Sequence, residues 1–358
     1  MIKLFKRKKK TDERTPQLTT YDRRALEIAG FSNGRLPASA VSQMTRDGMV
    51  QTALTIKSLA VLSADWTLVA RDDSPRARRA AEFVQSNFEQ MEGSPSTILS
   101  GAMEAFATGW SVQELVYFRD KGGIQLASVN PKDPQFFGLD VDQFGNIKRL
   151  NLLIPGLPQR ALPRAKFAVY VNRRSYAHPK GQSDLEAAHG NWKSKQTLLK
   201  AWNVHLEKFA MPTVLGRYEN GVPSEEQASI LSALQDLQNN TAIVYPSEID
   251  ISTLGGDKTP STGFQEAIEF HNREIARAIL GQTLKTDEGR RVGSLALGKV
   301  HLQVMLLQIN AIRRELADTV MNEQVIRPLV EMNFGPGVAP KFEFDETGAD
   351  VFANGKLS

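Results

Sequence analysis

The run from Leu295 to Arg327 limits what this chain can fold into more than any other stretch. Leu297, Val300, Val304, Leu307, Ala311 and Leu316 recur there at the helical period, and an unbroken helix of that length would measure about 50 Å. A small core of its own cannot hold such a helix, so much of it must lie against other elements or other copies of the chain. A second periodic run, 262–279, keeps Phe264, Ile268, Ile275 and Ile279 on one side. Between the two lies 281–294. Gly281, Gly289 and Gly293 give that stretch backbone freedom, and Lys285, Arg290 and Arg291 give it charge, offset by Asp287 and Glu288. The pattern is two girders joined by a basic loop.

The chain ahead of the girders reads as helices followed by an antiparallel sheet. Ser39 is placed to cap a helix ending near Arg46, and Met49 to Leu62 continues with Val50, Leu54, Leu59 and Leu62 on one side. A strand at 64–70 precedes two helices opened by Ser-Pro, at Ser74-Pro75 and Ser94-Pro95. The first carries Ala77, Ala80, Ala81, Val84 and Phe88 as its buried stripe. Strands follow at 111–118 and 124–129 around Asp120-Lys121-Gly122-Gly123, a hairpin turn with glycine available for positive φ. Further strands are expected at 136–141, 147–154 and 167–171, with Pro155, Pro158 and Pro163 holding an irregular connector. Strict strand–helix alternation is missing, so the fold class is α+β.

From 184 to 209 the period is helical again. Trp192, Leu199 and Leu206, with Trp202 and Phe209, fall on seven-residue spacings, a stripe suited to helix–helix packing. Pro212 opens a small β-α-β-β unit, with strands at 213–218, 241–245 and 249–254 and a helix at 224–237, inserted between two helices. It is too short to be confidently autonomous. The chain ends on a strand around Phe342 and Phe344 that reads as exposed.

Length and charge exclude several function classes. A chain of 358 residues has room for two or three domains and a real core. Forty-four Lys and Arg against 40 Asp and Glu leave a formal charge of +4, which permits a polyanionic partner without demanding one. The absence of cysteine rules out disulfides, thiolate metal sites and a thiol nucleophile. No window is apolar enough for a membrane span. Lys3, Lys6, Arg7, Lys8, Lys9 and Lys10 make a basic tail that the following Thr11-Asp12-Glu13-Arg14 separates from any signal peptide. It suits a solvated tail or a nucleic-acid contact.

No catalytic pattern survives inspection. No dinucleotide or Walker fingerprint is present, and Gly255-Gly256-Asp257-Lys258-Thr259 lacks the spacing of a phosphate loop. His178, His189, His205, His271 and His301 never fall at a metal-ligand spacing. Gly109-Trp110-Ser111 and Gly181-Gln182-Ser183 do not complete a nucleophile elbow. No catalytic residue, metal ligand or cofactor site is expected.

Several stretches, in order, resemble the portal proteins of tailed bacteriophages, most closely the Mu-like portal family. They are 47–50 through Ser63-Ala64-Asp65-Trp66; Ala105-Phe106-Ala107-Thr108-Gly109-Trp110-Ser111-Val112-Gln113-Glu114; Gly181-Gln182-Ser183-Asp184-Leu185; Phe209-Ala210-Met211-Pro212; 274–281; and Gly293-Ser294-Leu295-Ala296. Together they span roughly residues 20–333.

The resemblance implies a portal fold with an α/β wing, two stem helices, a small inserted α/β clip and a long wing helix after a tunnel loop. The divisions would be a basic tail at 1–20, wing at 21–183, first stem helix at 184–210, clip at 211–260, second stem helix at 261–280, tunnel loop at 281–294, long wing helix at 295–333 and a C-terminal extension at 334–358. Family members usually continue into a helical crown, so the crown is expected to be absent or truncated. The implied function is a head–tail connector: a homo-oligomeric, dodecameric ring at the capsid vertex, in the virion and in host cytoplasm during assembly. Double-stranded DNA would pass through it, and the large terminase motor and the capsid, head-completion and tail proteins would dock on it. The resemblance also implies that Lys285, Arg290 and Arg291 face DNA on a loop hinged at Gly281, Gly289 and Gly293. Trp192, Leu199, Trp202, Leu206 and Phe209 would pack the stem or neighbouring subunits. The alternative is a non-enzymatic helical scaffold or adaptor that binds protein only.

Overall fold

A computed structural model describes residues 36–120, 123–142, 146–175, 178–210, 214–219, 221–236, 242–246, 261–281 and 295–345. The chain divides into two compact units. The first takes in Met1–Thr45, Leu54–Glu186 and Lys299–Ser358, the second Arg46–Ala53 and Ala187–Gly298.

In chain order the elements are α1 (Ala38–Met44), α2 (Gly48–Leu62), β1 (Trp66–Val69), α3 (Pro75–Gln90), α4 (Pro95–Met103), α5 (Ala105–Thr108), β2 (Trp110–Asp120), β3 (Gly123–Lys132), β4 (Phe137–Val141), β5 (Ile147–Leu152), β6 (Arg160–Leu162) and β7 (Phe167–Val171). Next come α6 (Leu185–Ala210), β8 (Val214–Tyr218), α7 (Ser224–Asp236), β9 (Ala242–Pro246), α8 (Ser261–Leu280) and α9 (Leu295–Leu316). A π-helical stretch (Ala317–Ile326), α10 (Arg327–Phe334) and β10 (Lys341–Phe344) complete the list.

The first unit is layered around an antiparallel sheet in the order β3-β2-β7. Its central positions are buried on both faces because successive side chains alternate. Leu115, Leu126, Ala168 and Tyr170 join a core with Val84, Phe88, Leu99, Phe106, Leu316 and Val325. Trp110, Val112, Phe167 and Val169 instead meet Leu139 and Leu150 of a second sheet, β4-β5-β6. Two polar residues on the first face are tied to α4: Ser111 Oγ donates to Ala102 O (2.9 Å) and Gln113 Nε2 to Ile98 O (2.9 Å). Burial pushes the Tyr117 phenol up to about 12.

The Ser-Pro helix starts form as the sequence leads one to expect. Ser74 Oγ accepts from Ala77 N (3.2 Å) and Ser94 Oγ from Thr97 N (3.3 Å), each satisfying a first-turn donor. Ala77, Ala80, Val84 and Phe88 are buried along α3, with Ala81 half-buried.

Other expectations need correction. Pro37, not Ser39, precedes α1, and no side chain caps it. The segment read as an irregular connector contains β6, which pairs antiparallel with β5 through Leu150↔Leu162 and Leu152↔Arg160. Phe342 is fully buried, because β10 pairs with β1 and brings its ring onto Trp66 at 5.1 Å. Along α9 the expected stripe is only partly the buried side. Leu316 is buried as expected, but with Ile309, and with Met305 and Ile312 packed beside them, while Val304 is 46% and Leu307 71% exposed.

Four amides seal the sheet edges. Asn87 and Asn333 each exchange two hydrogen bonds with the backbone of β3, at Leu126 (3.3 and 3.2 Å) and at Ile124 (2.7 and 2.8 Å). Gln324 does the same at Val169 of β7 (2.9 and 2.9 Å), and Asn322 at Phe342 of β10 (3.0 and 2.7 Å). Each side chain presents one donor and one acceptor, as a neighbouring strand would. Asn322 and Gln324 lie on the π-helical stretch, two residues apart and so pointing to nearly opposite sides, which lets one segment close two different sheets.

The second unit holds most of α6, the β8-α7-β9 insertion and α8. The strands β8 and β9 are parallel, with Val214↔Ala242 through Tyr218↔Pro246 in register, and α7 packs on both. The expected third strand at 249–254 lies outside the described residues.

Candidate functional site

The helices α6 and α8 pair antiparallel. Asn191 Oδ1 meets His271 Nδ1 at 3.0 Å, whereas further along α6 it is Phe264 that meets Trp202 (6.4 Å, planes 3° apart) and His205 (5.5 Å). Numbers rising on one helix against numbers falling on the other fix the direction. The chain therefore leaves at Ala210 and returns at Ser261 at one end of the pair, and α8 finishes at Leu280 at the other.

Gly281 stops α8. Its φ is +75°, the left-handed region that suits glycine, and its N–H donates to Arg277 O (2.9 Å) as a helix-terminating glycine does. The residues beyond it, with Lys285, Gly289, Arg290, Arg291 and Gly293, lie outside the described part of the chain. Among the aromatic stripe, Trp192, Leu199 and Trp202 are half-buried and Leu206 is 45% exposed. Phe209 belongs to α6, but its side chain lies outside the description. Trp192 stacks on His189 at 6.0 Å, and the indole N–H groups of Trp192 and Trp202 are buried with no hydrogen-bond partner among the described residues.

Two buried ion pairs escaped the sequence reading. In the second unit, Asp47 caps α2 by accepting from Met49 N (3.0 Å) and Val50 N (3.3 Å), and its two oxygens take Lys195 Nζ at 2.9 and 2.8 Å. Gln196 Nε2 adds a contact at 3.3 Å. In the first unit, Asp184 is fully buried and gathers Lys57 Nζ (2.5 Å), Arg173 Nε (3.0 Å) and Asn172 Nδ2 (3.1 Å). Lys57 Nζ also lies 4.3 Å from the centroid of the Phe106 ring. Burial pulls the lysine's proton affinity down, and the Asp184 carboxylate restores part of it. An Asp just before a helix was a visible capping signal for Asp47. Nothing local marked the lysines.

The same junction joins two of the quoted stretches. Phe106 O accepts from Asp184 N (2.9 Å), Ala107 O from Ser183 Oγ (2.6 Å) and Gly109 O from Asn172 N (2.9 Å). A Cβ on Gly181, whose φ is +87°, would lie 2.1 Å from Gly109 O, so only glycine allows the approach. The cluster is a structural knot: its acid is paired with two cations, and the Asn172 amide and Ser183 hydroxyl are spent on that acid and on backbone carbonyls. Among the described residues no group of three or more His, Asp or Glu could hold a metal ion, and no helix is long and apolar enough to cross a membrane.

The family described as the portal protein of Mu bacteriophage matches residues 38–353. The Mu-like prophage FluMu protein gp29 of Haemophilus influenzae is 26% identical over 322 residues, covering 87% of this chain and 61% of that protein. The portal protein of Escherichia phage Mu is 24% identical over 334 residues, covering 91% of this chain and 63% of that protein. The chain thus spans less than two thirds of the length of these curated relatives. Among solved structures, a chain in the neck of an empty GTA particle, resolved with C6 symmetry, aligns with a TM-score of 0.58 at 12% identity over 92% of this chain and 91% of that one. One in the native particle's neck, resolved with C12 symmetry, aligns at 0.55 and 13% identity over the same shares. At such identity they establish likeness of fold, mixed helix and sheet. With the family match covering most of its length, the chain belongs to the Mu bacteriophage portal protein family.

Proposed function

We propose that this chain is a portal, the head–tail connector of a phage or prophage particle. It assembles into a closed ring at the capsid vertex, with double-stranded DNA passing through the channel during packaging and ejection. The observation that carries this reading is the family match over 38–353. The antiparallel pair α6/α8 supports it, with an insertion at one end and the basic segment 282–294 leaving from the other. In this reading 184–210 and 261–280 are the stem helices, 211–260 the clip, 281–294 the tunnel loop, 295–333 the wing helix and 21–183 the rest of the wing. The bare apolar side chains Val304 and Leu307 on α9, and Leu206 on α6, are surfaces that neighbouring copies would cover.

The function needs no turnover. Duplex phosphates are closely spaced, and a channel must neither repel nor trap them. Lys285, Arg290 and Arg291, repeated by ring symmetry and moderated by Asp287 and Glu288, offer many weak phosphate contacts without reading bases. Gly281, Gly289 and Gly293 give the loop its hinges. Packaging work comes from a separate large terminase motor docked on the ring, and capsid and head-completion or tail proteins take the other surfaces. The location is the virion portal vertex, reached from host cytoplasm during assembly.

Imaging of the purified protein tests the proposal. Closed rings with a central hole as wide as duplex DNA are expected. A dimer or an open filament would instead favour a helical scaffold that never contains DNA.

A further inference from the structure

The stretch 143–183 holds eight Lys and Arg and no Asp or Glu, so the rest of the chain is net negative. Within the first unit it builds β5, β6 and β7. Arg173 is taken by Asp184, and Arg164 by Gln324 Oε1 (2.8 Å) and Phe167 O (3.3 Å). Lys148, Arg149, Arg160 and Lys166 are exposed and make no ion pair among the described residues. Asp140, the one acid on β4, β5 and β6, stands opposite Arg149 without closing a bridge to it.

The same sheet ends in an apolar rim. Leu153 N donates to Phe136 O (2.7 Å) and Leu157 N to Ile154 O (3.0 Å), which gathers these residues where β5 finishes and β4 begins. Phe136, Leu153 and Ile154 are exposed, and Leu157 is 62% exposed. Leu153 lies over Gly138, where a Cβ would come within 2.9 Å of its Cδ1. Leu139 and Leu150 pack on the first sheet, so Gly138, Arg149 and Leu153, which alternate with them, belong to the opposite face. Arg160 opens β6 opposite Leu152, at the apolar end. An exposed apolar rim set among cations marks an interaction surface. Duplex phosphates would pair with the cations but leave the apolar side chains in water, whereas an acidic protein segment carrying apolar residues matches both. We propose that this face of β4-β5-β6 docks an acidic, amphipathic segment of a protein other than this chain. Its carboxylates meet Arg149 and Arg160, and its apolar side chains cover Leu153 and Leu157. The inference rests on the first unit alone and stands apart from the ring reading; within that reading it gives one of the docking proteins its chemistry.

The probe is a short fluorescein-labelled peptide of alternating Glu and Leu, titrated by anisotropy against the full-length chain beside an all-Glu peptide and a short DNA duplex. Because Lys3 to Lys10 also attract anions, variants decide where it binds. Arg149→Gln with Arg160→Gln should weaken the Glu-Leu peptide about tenfold, as losing two exposed charge contacts predicts. Leu157→Ser, at the most exposed position of the rim, should weaken that peptide and leave the all-Glu peptide unchanged. Equal affinity for the two peptides would overturn the amphipathic occupant. DNA bound more tightly than the Glu-Leu peptide, with the excess lost in the double variant, would give the face to nucleic acid instead. No binding, or binding unchanged in both variants, would overturn the site. Sedimentation of the double variant should match the wild type; a smaller assembly would mean that a second copy of this chain covers the face.

Discussion

Lys57 shows how far a single residue's role depends on distant chain. Its partner Asp184 is 127 positions away, and Asp47 finds Lys195 across 148. Lys57→Met would leave Asp184 buried with Arg173 and Asn172 alone, a loss of about 3–5 kcal/mol. Urea unfolding measures it, and adding Asp184→Leu should recover much of the loss, because no buried carboxylate remains and the half-exposed Arg173 can turn to water. Glu315 makes a pH-dependent case. Glu315 is exposed over much of its surface, and partial desolvation of its carboxyl raises it, opposed by the Tyr170 hydroxyl that donates to it at 3.3 Å. The folded chain therefore holds that proton more tightly than the unfolded chain does. Its contribution to stability is full below the ordinary carboxyl value of about 4.3 and is lost as pH rises through the raised one. Glu315→Gln keeps an acceptor for Tyr170 and should remove that part of the pH slope. An unchanged slope would mean Glu315 titrates as an exposed acid does. None of these partnerships is written in local sequence. What was legible was residue type: an Asp ahead of a helix, a stripe of alanines, a glycine at a stop.

At the scale of elements the sequence was far more informative, because caps and periodicity are local. The starts at Ser74-Pro75 and Ser94-Pro95, the hairpin of β2 and β3, and the helices α6 and α8 were all readable. The misses have a common cause. The three residues of β6 are too short to show a period, and Phe342 reads as exposed until β1 is known to be its neighbour. The buried side of α9 is set by what packs on it, and a broad apolar run does not disclose which stripe that is. The amide seals also depend on contacts between distant segments. Asn333→Leu would strip Ile124 of both backbone partners, costing about 1–3 kcal/mol and baring the edge of β3. Lower urea midpoints and higher light scattering on gentle heating are expected; wild-type behaviour in both would mean water replaces the amide at no cost. On α6, the half-buried Trp202 lies with its ring parallel to Phe264, so Trp202→Ala should cost less than the ~3–5 kcal/mol of a fully buried Trp. If that helix pair supports assembly, sedimentation at low concentration should show a lower ring-to-monomer ratio. An unchanged ratio would remove Trp202 from the assembly surface.

For the whole molecule, the family could be read from ordered short stretches, and the structure explains why two of those stretches are there. Residues 105–114 and 181–185 interlock through Phe106, Ala107, Gly109 and Ser183 around the buried Asp184. They tie the turn ahead of Leu185 to the corner between α5 and β2 within the first unit, so they say fold before they say function. Function on this reading rests on the segment that the two girders present, and its position in the assembled ring is the most direct test. A symmetry-averaged reconstruction of the purified ring, carried to residue resolution, should place 282–294 on the channel wall with Lys285, Arg290 and Arg291 toward the axis. Density for that segment on the outer surface of the ring, away from the channel, would contradict the proposed role.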